Sequence, residues 1–174
     1  FVRLAERGRA QVADLNLTTD IIVGFPGETD AQWQETLDFV ASVGFGQVHG
    51  FTYSPRPGTR AAAFPDRVDG DRTRRRALEL QSLAERLRRR FLAAQAGRRY
   101  QVLREGPPRT GSPGELFGYT PNYLPVRVAP DPGAVPVGEI MDVRISGLDP
   151  DGTALRGHLA DPCAPRTCPG SRRS

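Results

Sequence analysis

Residues 19–33 read TDIIVGFPGETDAQW. The apolar run Ile21-Ile22-Val23 stops at Gly24, and Pro26-Gly27 supplies turn chemistry. Thr29-Asp30-Ala31-Gln32 then has the spacing of a capping box, a Thr cap with Gln three residues later. A strand, a tight turn and a helix start are therefore written within fifteen residues.

Working outward, Leu15 to Val23 is the predicted strand, apolar on both faces near its end as buried parallel strands are. The helix places Trp33, Leu37 and Val40 on one face, and Gly44 is a natural stop. Gln47 to Tyr53 reads as a second strand. Such strand–helix–strand units cross over right-handed and make parallel strands. In sheets and barrels of this kind, ligands gather at the C-terminal ends of the strands. The two loops there are GFPGET (Gly24–Thr29) and SPRPGT (Ser54–Thr59). A Gly at a strand end permits close approach of a ligand, and Ile22 and Val23 offer an apolar floor to a flat ring. Simple turn formation explains Pro26 and Gly27 equally well. The loop is not a P-loop, because it lacks the GK[ST] ending, and it lacks the G-x-G-x-x-G spacing of a dinucleotide site.

The strongest helix signal is 69–96, where Ala77, Leu80, Ala84, Leu87, Phe91 and Ala94 recur at three- and four-residue steps. Asp69 or Asp71 can cap its start and Gly97 close its end. Arg72, Arg75, Arg86, Arg89 and Arg90 fall on the opposite side. Every basic residue of the chain is Arg, so the count itself says little; the distribution says more. Residues 1–66 have a net charge of −3, residues 67–109 of +8, and residues 110–174 of −1. A charge concentrated in one segment suits a polyanion, although a solvated helix face also looks like this.

From Arg98 on, five short strand candidates follow without a helix: Tyr100–Arg104, Leu116–Tyr119, Leu124–Val128, Ile140–Ile145 and Ala154–Leu159. Their spacing predicts a small antiparallel barrel of the oligonucleotide-binding (OB) type. The predicted divisions are 1–97, α/β; 98–160, all-β; and 161–174, a disordered tail. Cys163 and Cys168 in that tail have neither disulfide-framework nor metal-site spacing. No apolar stretch reaches the roughly 20 residues of a membrane helix. Asp20, inside a strand, needs a partner or a polar barrel interior. His49 and His158 stand alone and read as structural histidines. No residue set supplies nucleophile, acid and base together, so chemistry must come from a cofactor or from sequence outside this chain.

TTDIIVGFPGET, then FTYSPRPGTRAA, the basic helix and the β segment occur in an order that closely resembles the C-terminal half of the radical S-adenosylmethionine methylthiotransferases. The resemblance covers about residues 1 to 160. Within that family, GYTPNYLPVRV (Gly118–Val128) looks most like the branch acting on threonylcarbamoyladenosine in tRNA. The resemblance implies the last part of a radical-SAM (β/α) barrel followed by a TRAM domain, a small RNA-binding barrel. It implies S-adenosylmethionine and two 4Fe-4S clusters in the parent protein, with a methylthio group placed at C2 of the adenosine beside the anticodon. It implies Ile22, Gly24, Phe51, Tyr53 and Ser54 at the adenosyl group, with Glu28 one residue later than the general motif's Glu. For RNA, Arg75, Arg86, Arg89, Arg90, Arg98 and Arg99 are expected at phosphates, and Arg127 is expected among the RNA-binding residues. Asn122 is expected at a base edge, while Tyr119 and Tyr123 either stack on bases or fill the barrel core.

The expected partners are a tRNA anticodon stem-loop and an electron-donor protein, in a cytoplasmic monomer. The family's Cys-x-x-x-Cys-x-x-Cys cluster set is absent from this sequence, and the chain opens on Phe1-Val2-Arg3 as if inside a helix. The chain is therefore expected to be a fragment that holds no cluster and does not turn over alone. The alternatives are a ribosomal-protein methylthiotransferase and an RNA-binding module without catalysis.

Overall fold

A computed structural model describes residues 1–106, 114–129 and 135–160. The expected disordered tail, with Cys163 and Cys168, lies outside them. The chain divides into two compact units, Phe1–Ala94 and the chain from Gln95 on.

The first unit runs α1 (Val2–Gln11), β1 (Thr18–Val23), α2 (Asp30–Val43), β2 (Gln47–Thr52), a short 3₁₀ turn (Arg60–Ala63) and α3 (Gly70–Ala93). β1 and β2 pair in parallel, from Thr18 against Gln47 to Val23 against Thr52. β1 is shorter than the expected Leu15–Val23. Its ladder starts only where β2 starts, and the Leu17 carbonyl instead accepts from Gly46 N–H at 2.9 Å. The capping box forms as spaced: Thr29 Oγ1 accepts from Gln32 N–H at 3.2 Å, and Gln32 Oε1 accepts from Thr29 N–H at 3.0 Å. Gly44 ends α2 in the left-handed conformation, φ +64°.

One face of the two-stranded sheet is packed. Val23, Trp33 and Leu80 are buried there with Ile21, Leu37, Val48 and Ala77 against them. Val40, Val43, Phe45 and Leu83 continue the core. The stripe of α3 is wider than expected: Arg76, Leu83 and Leu92 are buried within it, while Ala94, beyond the helix, is exposed. The opposite face of the sheet carries Asp20, Ile22, His49 and Phe51, all exposed.

Arg76 holds this unit together. It is 1% exposed, donates to Glu28 Oε2 at 2.6 Å and to Asp30 Oδ1 at 2.7 Å, and lies 5.8 Å from the centre of the Trp33 ring. The Arg76 hydrogen bond, chiefly, holds the Asp30 carboxyl below its ordinary range. Trp33 Nε1 donates to Glu79 Oε2 at 2.7 Å, a second tie between α2 and α3.

The second unit is a closed barrel of β3 (Arg99–Arg104), β4 (Leu116–Tyr119), β5 (Pro125–Val128), β7 (Leu155–Leu159) and β6 (Ile140–Leu148), in that order around the barrel. All five expected strands are present, but the barrel is not wholly antiparallel. β5 and β7 run parallel, from Val126 against Leu155 to Val128 against Gly157, because β6 lies between them in sequence and on β7's other side in space. Alternation sends Tyr100, Val102, Met141, Val143 and Ile145 inward. Burial alone would raise the Asp149 carboxyl. The N–H groups of Ala154 and Thr153, the Thr153 hydroxyl and the Arg127 guanidinium hold it below its ordinary range instead.

Replacing Arg76 by Met keeps its volume but strands Glu28 without its buried partner, so the first unit is expected to lose about 3 kcal/mol. The single tryptophan, Trp33, sits in that unit, so its fluorescence in a urea titration reads the loss there alone.

Candidate functional site

The C-terminal ends of β1 and β2 form a cleft of about 410 Å³, lined by Gly24, Thr52, Tyr53, Arg67, Thr73 and Ala77 among others. Three constraints build it. Tyr53 N–H continues the ladder by donating to the Val23 carbonyl at 2.8 Å. Gly24, at φ +76°, turns the chain away from the sheet, and its N–H donates to Glu28 Oε2 at 3.0 Å. That same oxygen receives Arg76, so Glu28 ties the turn to α3. The aromatic rings of Phe25, Tyr53 and Phe64 stack edge to face at 5.3 and 6.1 Å beside it. Phe64 lies in a loop, where hydrophobic periodicity carries no signal.

The five residues expected at an adenosyl group divide between two surfaces. Gly24 and Tyr53 line the cleft. Ile22 and Phe51, in-register neighbours, stand on the open face at 54% and 53% exposure. Ser54 is exposed just past β2. The two open apolar side chains suit a flat ring, and Tyr53 has a buried hydroxyl without a hydrogen-bond partner. The bare face of Gly24 meets α3. A Cβ at residue 24 would lie 2.5 Å from Thr73 Oγ1, so its bare face is covered by α3. The glycine serves the left-handed turn and the helix contact. For iron–sulfur clusters the donor set does not fit: among the described residues no three His, Cys, Asp or Glu side chains converge.

On the open face, below Ile22 and Phe51, Asp20 pairs in register with His49. His49 is not isolated: Gln47 Nε2 lies 3.0 Å from its Nε2, and Arg88 of α3 donates to Gln47 Oε1 at 3.0 Å.

Of the arginines expected to bind RNA, Arg75, Arg86, Arg89 and Arg90 are on the exposed side of α3. Arg75 lies 4.0 Å from Glu79, and Arg86 donates to Ser82. Arg98 and Arg99 are exposed at the start of the barrel unit. Arg127 is different. Its side chain is 12% exposed and is committed to Glu115 at 3.2 Å and Asp149 at 3.3 Å, both more buried still. Its place in β5 turns it toward these acids, so it serves the barrel. Asn122 also works locally, its Oδ1 accepting from the Thr120 hydroxyl at 2.5 Å. Neither tyrosine is in the core. Tyr123 is 81% exposed in a left-handed turn, and Tyr119 lines a cavity of about 400 Å³ with Leu103, Tyr123 and Ile140.

The barrel adds basic residues that sequence reading missed. Arg99 of β3 stands opposite Arg144 of β6, and Arg144 stands opposite His158 of β7. All three are exposed. Like charges directly opposite on paired strands are destabilising. The signal was available only through the register, since the three residues are far apart in sequence.

No family model matches the chain. Three strains of Cereibacter sphaeroides have relatives named tRNA-2-methylthio-N(6)-dimethylallyladenosine synthase, which are 42%, 40% and 40% identical to this chain over 154 residues. The match covers 88% of this chain and 34% of each relative, so the chain spans about a third of their length. Among solved structures, a multidomain protein with nucleic acid binding domains from Streptococcus pneumoniae TIGR4 aligns over 42% of this chain and 27% of its own. That likeness, with 18% identity and a TM-score of 0.32, carries no argument.

The Thr73 contact has a measurable consequence. Gly24→Ala is expected to destabilise the first unit by about 2 kcal/mol, from the left-handed φ and the clash together. Adding Thr73→Ala is expected to return about 1 kcal/mol. A double-mutant cycle read by Trp33 fluorescence checks this; strict additivity would remove the contact from the account.

Proposed function

We propose that this chain is the C-terminal part of a radical S-adenosylmethionine tRNA methylthiotransferase. The observation that carries the reading is the 40–42% identity to tRNA methylthio-adenosine synthases across 88% of the chain. In this reading β1, β2 and their helices are the closing strands of a (β/α) barrel, whose interior is the open face with Ile22 and Phe51. Parallel sheets are normally covered on both faces, and this one is covered on one. S-adenosylmethionine, when bound, supplies the radical. Ile22 and Phe51 hold its adenosyl part, and the clusters are ligated by residues outside this chain.

The β-barrel is the TRAM-type RNA-binding domain of this enzyme, in the cytoplasm, and the partner is a tRNA anticodon stem-loop. The row Arg99–Arg144–His158 gives the barrel a polyanion-binding surface, with Tyr119 and Tyr123 offering ring faces to unpaired bases. Arg89 and Arg90 on α3 supply further phosphate contacts. The run Gly118–Val128 favours N6-threonylcarbamoyladenosine as the substrate over the dimethylallyladenosine of the relatives' names.

The decisive test is nucleoside mass spectrometry of tRNA from a strain deleted for the gene. Loss of 2-methylthio-N6-threonylcarbamoyladenosine, with its precursor retained, is the expected result. Loss of the dimethylallyl counterpart instead would assign the relatives' substrate, and loss of neither would overturn the reading.

The RNA surface is checked separately by a salt titration of stem-loop binding. Arg99→Ala with Arg144→Ala is expected to flatten the slope of log K against log salt by roughly 0.7 to 0.9 per lost contact. An unchanged slope would remove the basic row from the interface.

A further inference from the structure

The outer face of the barrel is layered along β3 and β6. Alternation turns Arg99, Gln101 and Leu103 of β3 outward, in register with Arg144, Asp142 and Ile140 of β6. A basic layer lies at one end and an apolar layer at the other. The apolar layer continues over a third strand, because Leu103 also pairs with Tyr119 of β4. Leu103 and Ile140 are 44% and 63% exposed, and Tyr119 is exposed beside them. Apolar side chains scattered singly on a surface are ordinary. Three in one row, sharing a cavity of about 400 Å³ with Tyr123, form a patch of the kind that marks a contact surface.

Tyr123 is held at that cavity by its turn. Its φ is +61°, a region that side chains other than glycine rarely adopt. Tyr123 N–H donates to the Thr120 carbonyl at 2.9 Å, and Leu124 N–H donates to the Thr120 hydroxyl at 2.9 Å. Thr120 and Leu124 are buried, so the turn is anchored while the ring is presented to solvent. The cavity also has a polar edge. Glu105 N–H donates to the Phe117 carbonyl at 2.9 Å, which carries the β3 ladder past Arg104 and keeps Glu105 on the outward side with Leu103. Glu105 and Gln101 both line the cavity.

An aliphatic floor flanked by two aromatic rings suits a flat ring, and a carboxylate at its edge repels phosphate and accepts N–H groups. Arg99 and Arg144 stand four residues away on the same strands, about 13 Å along the same face, where a phosphate is attracted. A ring site and a phosphate site on one face complement a single strand of RNA. Glu105 also discriminates among its bases. Guanine alone carries two adjacent N–H donors on its pairing edge, N1–H and N2–H, and a carboxylate accepts two parallel N–H bonds. Adenine, cytosine and uracil each set an acceptor atom beside their donor, against the carboxylate. We propose that the cavity between Leu103, Ile140, Tyr119 and Tyr123 is a pocket for one unpaired guanine, read by Glu105, with a phosphate of the same strand at Arg99 and Arg144. The inference rests on the reading of the barrel as an RNA-binding domain and adds a base-selective pocket to it.

The test uses the intact protein that carries this chain and labelled single-stranded hexauridylates whose one central residue is G, A, C, U or an abasic ribose. Binding is read by fluorescence anisotropy. The wild type is expected to favour the G oligonucleotide over the A, C and U ones by about tenfold. Glu105→Gln, which cannot accept two N–H bonds, abolishes that preference and leaves the all-U affinity unchanged. Tyr123→Ala brings the affinity of the G oligonucleotide close to that of the abasic one. Arg99→Ala with Arg144→Ala weakens every oligonucleotide and keeps the preference for G. Thermal unfolding followed by circular dichroism confirms that each variant is folded. Equal binding of the four bases by the wild type, or a Glu105→Gln variant that still prefers G, overturns the inference alone. An Ile140→Ser variant that binds RNA normally while losing a self-association seen in the wild type by ultracentrifugation assigns the patch to a protein contact and also overturns it. Failure to bind any of the oligonucleotides or an anticodon stem-loop overturns the underlying RNA reading, and the inference with it.

Discussion

A single buried guanidinium organises the first unit. Arg76 on α3 reaches the loop after β1 through Glu28 and the first turn of α2 through Asp30. Burying an ionised group is expensive unless its partners are close and directional. Here two carboxylates, the Glu28 carbonyl at 3.1 Å and the Trp33 ring supply that compensation. Arg suits the task because its planar fork bonds two carboxylates at once, which a lysine ammonium does not do in fixed geometry. The consequence runs to Gly24, whose N–H shares Glu28 Oε2 with the guanidinium. The turn at the strand end is thus held by the helix and not only by its own Pro26-Gly27 sequence.

That interaction also marks where sequence reading stopped. The strand, the capping box and the helix were legible because each is a local pattern: an apolar run, a Thr–Gln spacing, a periodicity. Arg76 was not. It sits among arginines, and charged residues are by default assigned to the solvent face of a helix. Only the 48-residue separation between Arg76 and Glu28, closed by the fold, shows which arginine is internal. The same reason explains Arg127. On sequence it is one more cation; in the barrel Glu115 and Asp149 enclose it. Gly24 was expected to let a ligand approach the strand end; the group against its bare face is Thr73, distant in sequence.

The barrel shows the converse. Its five strands were legible from their spacing, since Gly and Pro punctuate them, and their inward alternation fixes the core. Which strands neighbour one another was not legible, because the parallel β5–β7 pairing depends on the closure of the barrel. That closure also sets the surface. It brings Arg99, Arg144 and His158 into one row, although 45 and 14 residues separate them in sequence. Like charges opposite each other on paired strands cost stability, and an opposite charge placed nearby offsets that cost.

The two faces of β1 and β2 carry different information, and α3 governs both. Toward the helices, Val48 and Gly50 of β2 are chosen by packing: Leu80 of α3 sits where a side chain on Gly50 would stand. Toward the open face, Gln47, His49 and Phe51 are free of the core, so packing does not dictate them. Parallel strands whose two faces are both covered are ordinarily apolar on both. Phe51 and Ile22 obey that rule; Asp20 and His49 break it. The break is not neglect by the fold, because Arg88, from the same helix that supplies Leu80, reaches Gln47 and through it sets the imidazole. One helix thus fixes the backbone from one side and orients a polar side chain on the other, with residues that hydrophobic periodicity alone would pass over.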